Sequence, residues 1–175
     1  MSCLMLQGLT LDCKSAVGGI KSIRLIQFDL LGTVAPTASA EATITGITPV
    51  SSEKFWLWEF REETGNFTED QKVNSVAGLT HYEQTLTIRL DPVNQSRKAV
   101  LYRAGLKNVA IIIEDNNGKY WLMGEQIGAK ITDTSQANSG TAFGDDATGF
   151  TVTFKAMEPL FAREVASGII AALTN

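Results

Sequence analysis

The sequence predicts a mainly β protein, an antiparallel β-sandwich or split barrel with one flanking α-helix. Three observations carry this expectation. Val109 to Phe154 strings together an apolar run, an Asn116-Asn117-Gly118 turn, an aromatic return strand, a small-residue loop and an alternating strand. His81 to Leu90 alternates apolar and polar residues with a period of two. A single segment, after Asp91-Pro92, carries convincing helical signals, so strands do not alternate with helices as they would around a parallel sheet.

The elements follow in order. Leu6 to Asp12 is a short strand candidate, and Ser15 to Gly19 a small-residue turn. Ile20 to Leu31 is rich in β-branched and apolar residues and reads as a strand. Helix competes there, but the apolar positions hold no clean 3.6 period. Gly32 to Glu41 reads as a loop, and Thr43 to Thr48 as a short strand stopped by Pro49. Lys54 to Glu63 is an aromatic strand, with Trp56, Trp58 and Phe60 on one face and Phe55, Leu57, Glu59 and Arg61 on the other. Thr64 to Leu79 is polar with weak periodicity and reads as a long loop, a kind of segment that is usually functional. In the next strand Tyr82, Leu86, Ile88 and Leu90 point one way, with Gln84 the exception; His81, Glu83, Thr85, Thr87 and Arg89 point the other.

Asp91 is the expected N-cap of the helix, with Pro92 in its first position and Gly105 as its stop. Val93, Arg97, Val100, Leu101 and Ala104 form its stripe. Val109 to Glu114 is a buried strand, and Asn116-Asn117-Gly118 supplies a hairpin turn to the return strand Lys119 to Gly124. Gln126 to Thr134 alternates, with Ile127, Ala129 and Ile131 against Gln126, Lys130 and Thr132. Ser135 to Gly149 is a loop; Phe150 to Ala156 alternates Phe150, Val152 and Phe154 against Thr151, Thr153 and Lys155. Phe161 to Leu173 is either a short helix or an extended arm, with Ser167-Gly168 weakening the helix. The sum is about eight strands, with no repeat and no clear linker.

Composition bounds the function. At 175 residues the chain, 1–175, is long enough for one domain with a real core. A net charge of −4 argues against tight non-specific DNA binding, which rests on dense Lys and Arg contacts to phosphate. The two cysteines, Cys3 and Cys13, form no CxxC and have no histidine nearby, so neither a disulfide scaffold nor a zinc site is expected. No apolar run approaches the roughly 18–20 residues of a membrane span, and no signal-peptide pattern opens the chain.

Catalytic patterns are missing. His81 is the only histidine and no nucleophile pattern accompanies it. Asp115-Asn116-Asn117-Gly118 resembles a calcium loop, but its glycine comes too early and Lys119, Trp121 and Leu122 fill the later positions. Gly140 to Gly149 lacks the GK[ST] ending of a phosphate loop, and Asp145 and Asp146 would repel phosphate. No catalytic residue, metal or cofactor is therefore expected. What remains is a hydrophilic, mixed-charge set on the alternating strands, which adjacent strands could present to a water-filled channel or to plain solvent.

Four segments form a recognisable series: CKSAVGGIKSIRL (13–25), HYEQTLTIRLD (81–91), EDNNGKYWLMGE (114–125) and GTAFGDDATGFTVTF (140–154). In this order they resemble structural virion proteins of tailed phages, particularly phages of Bacteroidetes hosts. Region 32–80 is least covered. Within that group the layout is most similar to the tail tube family. The resemblance implies subunits that form hexameric rings, stacked into a tube for DNA delivery, with terminal arms and a long loop around 64–80. It implies a virion (tail) location, with assembly in the host cytoplasm. It implies no enzyme activity and no membrane partner. Its partners would be other copies of itself, with sheath, tape-measure and neck proteins, and DNA would pass without specific binding. It assigns Glu83, Thr85, Thr87, Arg89, Lys130, Thr132, Thr151, Thr153 and Lys155 to the lumen wall. It assigns Phe67, Glu69, Asp70 and Lys72 to an inter-subunit loop. Neck, adaptor or tail-terminator roles share the fold, and the inner tube of a contractile secretion system is the same physical idea. Outside that class, a carbohydrate-binding module would use Trp56, Trp58 and Trp121, and a hydrolase His81 with Asp133 or Asp145.

Overall fold

Period-two segments become strands, and the capped segment becomes a helix. The computed structural model describes residues 18–36, 42–61, 64–74, 78–137 and 148–175. Among them the chain is mainly antiparallel β with two short helices. The strands are β1 (Ile20–Gln27), β2 (Thr33–Ala35), β3 (Gly46–Thr48), β4 (Trp56–Glu59), β5 (Gly65–Asn74), β6 (Leu79–Leu90), β7 (Val109–Asp115), β8 (Tyr120–Met123), β9 (Lys130–Ala137), β10 (Gly149–Glu158) and β11 (Arg163–Val165). Helix α1 is Gln95–Gly105 and helix α2 is Ser167–Leu173. Neither is long and apolar enough to cross a membrane.

The strands form a five-stranded sheet in the order β11-β8-β7-β1-β4, a four-stranded sheet β5-β6-β10-β9, and the pair β2-β3. β7 lies at the centre of the first sheet and is apolar along nearly its whole length because both faces of that sheet are covered. Val109, Ile111 and Ile113 point toward the four-stranded sheet, where they share a core with Ile23, Leu25, Leu86, Ile88, Val152 and Phe154. Ala110 and Ile112 point the other way, into a second cluster with Ile26, Ile44, Ile47, Phe55, Leu122, Ile170 and Leu173. Ile111, Ile112 and Ile113 are at most 1 % exposed. Burial on that scale contributes about 1.5–3 kcal/mol for each side chain.

The second cluster explains the C-terminal segment. It is not an arm. β11 pairs with β8, and its neighbours are tied in by backbone bonds from Ile44 N to Glu164 O and from Ala166 N to Ile44 O, both 2.8 Å. Phe55 N then donates to Leu173 O and Asn175 N to Phe55 O. Ser167 and Gly168 occupy only the first turn of α2, and Ile170 and Leu173 are buried below it.

Several boundaries differ from expectation. β1 stops at Gln27 and a single tight helical turn, Phe28–Leu30, follows. β2 lies inside the expected loop 32–41. The expected loop 64–79 is for the most part β5, paired with β6 from Gly65↔Ile88 to Asn74↔Leu79. Its inward positions include Glu69, so a hydrophobic pattern could not announce it. Asn94, not Asp91, caps α1: its side chain accepts from Arg97 N at 2.8 Å. Asp91 instead faces Arg89 at 3.2 Å and Arg61 at 3.7 Å. β9 begins at Lys130, and Ile127 is 55 % exposed, off the expected core face. The turn at 116–118 is as expected, with Gly118 at φ +75° and the Asp115 carboxylate accepting from Asn117 N and Lys119 N. Leu6 to Asp12, Cys3, Cys13 and the stretch 138–147, with Asp145 and Asp146, lie outside the described residues.

Replacing Ile112 by Ala should cost about 2–5 kcal/mol in chemical denaturation, whereas Thr151→Ala on the open sheet face should cost less than about 1 kcal/mol. Asn94→Ala should lower stability by about 1 kcal/mol through loss of the cap.

Candidate functional surface

The four-stranded sheet has one dry face and one wet face. Strand alternation sends Leu86, Ile88, Val152 and Phe154 inward, so their neighbours must point out. All the residues expected to line a lumen fall on this outer face. Register sets them in rows: Arg89 opposite Thr151, Thr87 opposite Thr153, and Thr85 opposite Lys155. Lys155 in turn pairs with Lys130, and Thr153 with Asp133. Thr132 donates to Thr153 O at 3.3 Å, and the Thr87 and Thr153 hydroxyls are 3.3 Å apart. β5 extends the rows with Asn66 opposite Thr87, Thr68 opposite Thr85, Asp70 opposite Glu83 and Lys72 opposite His81.

The chemistry of this face is threonine hydroxyls among balanced charge. Lys72, Arg89, Lys130 and Lys155 stand against Asp70, Glu83 and Asp133. Several of these charges are already engaged locally: His81 with Glu83 at 3.7 Å, Lys72 with Asp70 at 4.0 Å and Arg89 with Asp91. Such a surface is hydrophilic, and four cations against three anions fall well short of the dense cationic array that holds phosphate. It is wetted across several strands, and among the described residues the large apolar side chains exposed on it are Leu79 and Met157, at its end.

The expected inter-subunit loop residues do not stay together. As β5 is a strand, Asp70 and Lys72 join the outer face, while Phe67 packs half-buried against the core. Glu69 turns inward and accepts from Gln84 Nε2 at 2.9 Å and from Ala162 N at 2.6 Å. Gln84 is therefore no misfit; its other amide atom accepts from Gly124 N at 3.2 Å.

Among the described residues the alternative sites are not drawn together. His81 and Asp133 lie two strands apart and offset along the sheet, roughly 20 Å by strand spacing. Trp58 packs against Phe154 with ring centroids 6.3 Å apart, and Trp121 is half-buried, donating to Asp115 at 3.3 Å. Only Trp56 is well exposed, at 60 %. No group of three or more His, Cys, Asp or Glu able to hold a metal is found among the described residues.

Two buried carboxylates escaped the sequence reading. Glu158 continues the inward series Phe150, Val152, Phe154, Ala156, and that parity was the one signal for its burial. It accepts from Gln126 N, Ile127 N and Gly128 N at 3.0–3.1 Å, which pins the loop between β8 and β9. That loop needs glycine at 124: φ is +74°, and a Cβ would stand 2.6 Å from Ala129 N. Burial outweighs the three N–H donors and raises the Glu158 carboxyl above the ordinary range. Glu114 is the opposite case. Burial pushes its carboxyl up, but hydrogen bonds from Ser22, Lys21 and Arg24, with the Arg24 charge, outweigh burial and hold it below the ordinary range. The fully buried Arg163 completes the set. It pairs with Glu125 and donates to Pro36 O and Ala42 O.

No protein-family model matches the chain, and neither a curated protein nor a solved structure matches it.

The two carboxylates predict opposite pH trends. Glu114 stabilises above the ordinary carboxylate range, and its contribution is lost as pH falls through its depressed folded value. Glu158 contributes fully below that range, and its contribution is lost as pH rises through its raised folded value. In urea titrations across pH, Glu114→Gln should lose most relative to wild type near neutrality, the gap closing in acid. Glu158→Gln should gain relative to wild type as pH rises; a flat difference would refute the assignment.

Proposed function

We propose that the protein is a structural virion protein, a tail tube subunit that assembles into stacked rings around a conduit for DNA. In this reading the two large sheets are the β-sandwich or split barrel of the tail tube family, and the outer face of β5-β6-β10-β9 is the lumen wall. The observation that carries the reading is the collection of Glu83, Thr85, Thr87, Arg89, Lys130, Thr132, Thr151, Thr153 and Lys155 on one open face. A conduit for a polyanion needs a wetted lining that does not capture phosphate, and threonine with balanced charge supplies it.

Edge chemistry supports the same reading. Among the described residues β5 and β9 each have one unpaired side, and they run antiparallel to one another. β5 of one copy can therefore continue the ladder beside β9 of the next, which removes edges that would otherwise aggregate. Six copies of a four-stranded sheet, with strands about 4.8 Å apart, give a circumference of roughly 115 Å and a barrel roughly 35 Å across between backbones. That leaves room for side chains and a duplex.

Negative-stain electron microscopy of the purified protein at rising concentration should show rings with a central hole, stacking into tubes. A heavy-atom label on Thr153→Cys should appear inside the hole. Rings that never stack would favour a neck or tail-terminator role, and a strict monomer at every concentration would overturn the proposal.

A further inference from the structure

The five-stranded sheet ends in β4, which has β1 on its paired side. Phe55, just before β4, shows where the other backbone groups of this edge point. Its N–H donates to Leu173 O and its carbonyl accepts from Asn175 N, so both groups face away from β1. Backbone direction alternates along a strand. Trp56 and Trp58 therefore bond to β1, while Leu57 and Glu59 present N–H and C=O to the open side. The segment Leu173 to Asn175 takes the step at Phe55, and no described strand takes the steps at Leu57 and Glu59.

Beside these groups an open trough runs between β4 and helix α1. Its larger part, about 570 Å³, is lined by Leu25, Trp56, Leu57, Val100 and Ala104 among others. A second part, about 270 Å³, continues it past Glu59 to Ser96 and Arg97. Trp56, Val100 and Leu57 stand 60 %, 49 % and 39 % exposed along it. An edge flanked by exposed apolar side chains is unusual, because such edges are normally blunted or covered. The trough follows α1 from Ser96 to Lys107, roughly 17 Å at 1.5 Å per residue, which five or six extended residues span. Charge selects the occupant. Residues 92–113 include Arg97, Lys98, Arg103 and Lys107 and no Asp or Glu, in a chain of net charge −4. Lys54, Arg103 and Lys107 line the Trp56 end of the trough against one carboxylate, Glu53. Asp29 engages Lys107 at 3.2 Å, but Lys54 and Arg103 have no anionic partner among the described residues.

We propose that the trough docks an extended, acidic segment of a partner protein, which adds as a strand to the open edge of β4. Ladder bonds to Leu57 and Glu59 hold its backbone, the usual basis of affinity when a peptide extends a sheet. Its apolar side chains, at alternate positions, enter the trough over Trp58 and Val100. Its Asp or Glu side chains lie at the Trp56 end, beside Lys54 and Arg103. The site uses neither the polar face of the other sheet nor the edges of β5 and β9, so it stands apart from the tube reading.

Two fluorescein-labelled peptides test this on the full-length chain: Asp-Asp-Val-Thr-Val-Thr-Val-Gly, and the same peptide with Lys-Lys in place of Asp-Asp. In fluorescence anisotropy at low salt the acidic peptide should bind saturably, about tenfold tighter than the lysine peptide. Lys54→Glu combined with Arg103→Glu should reverse that preference, and Val100→Asp, at a half-exposed position, should abolish binding. Lys98→Glu, on the same helix but outside the trough, should leave both affinities within about twofold. Methylating alternate backbone nitrogens of the peptide should abolish binding for one of the two alternate sets and spare the other, because only one set faces β4. No binding at millimolar peptide, equal binding of the two peptides, or equal loss with either methylated set would overturn the proposal. A dimer in sedimentation that Val100→Asp dissociates would also overturn it and would place a second copy in the trough.

Discussion

The structure depends on the burial of one sheet from both sides. β7 can be Val-Ala-Ile-Ile-Ile only if something covers Ala110 and Ile112 as well as Ile111 and Ile113. The four-stranded sheet covers one side. The other is covered by pieces distant in sequence: β2 and β3, Phe55, and the chain end from Val165 to Leu173. This cover has a consequence for function. The five-stranded sheet has little free face left to offer, whereas the four-stranded sheet keeps one face open along β5, β6, β10 and β9.

Polar groups inside the fold act as fasteners. Glu158 holds the loop 126–128, Gln84 and Glu69 join β5, β6 and the segment before β11, and Arg163 reaches the carbonyls of Pro36 and Ala42. Among the described residues every buried side-chain nitrogen and oxygen has a partner. A buried polar group left unpaired costs more than its bond contributes, so such networks fix one arrangement of loops over the core. The contrast between Glu114 and Glu158 shows how narrow the balance is. Both are buried carboxylates with three donors; hydrogen bonds from Ser22, Lys21 and Arg24 outweigh burial and shift one down, and backbone donors alone fail to offset burial of the other.

The open face offers hydroxyls and balanced charge but no nucleophile paired with a base. The proposed tube is an assembly in which such a surface is repeated around an axis. The geometry of the face, set by strand register, is what supports that proposal.

Much of this was legible in the residues. Alternation in 81–90 and 150–156 fixed which side chains share a face, because period two leaves no other choice. The run 109–114 declared a buried strand, and Asn116-Asn117-Gly118 declared the turn. β5 was not legible, since Glu69 occupies an inward position that only a partner across the sheet, Gln84, makes tolerable. The cap of α1 was misplaced for a different reason: Asp91 and Asn94 are equally good caps by type, and Asp91 is instead engaged by Arg89, two residues before it, and by Arg61 from elsewhere in the fold. The sequence alone thus determined the mainly β class and the two faces of the long strands, which depend on local periodicity. Tertiary structure decided which of those faces is covered and which is wet. That outcome depends on long-range pairing, of β10 with β6 and of the chain end with Ile44 and Phe55, which no local pattern encodes.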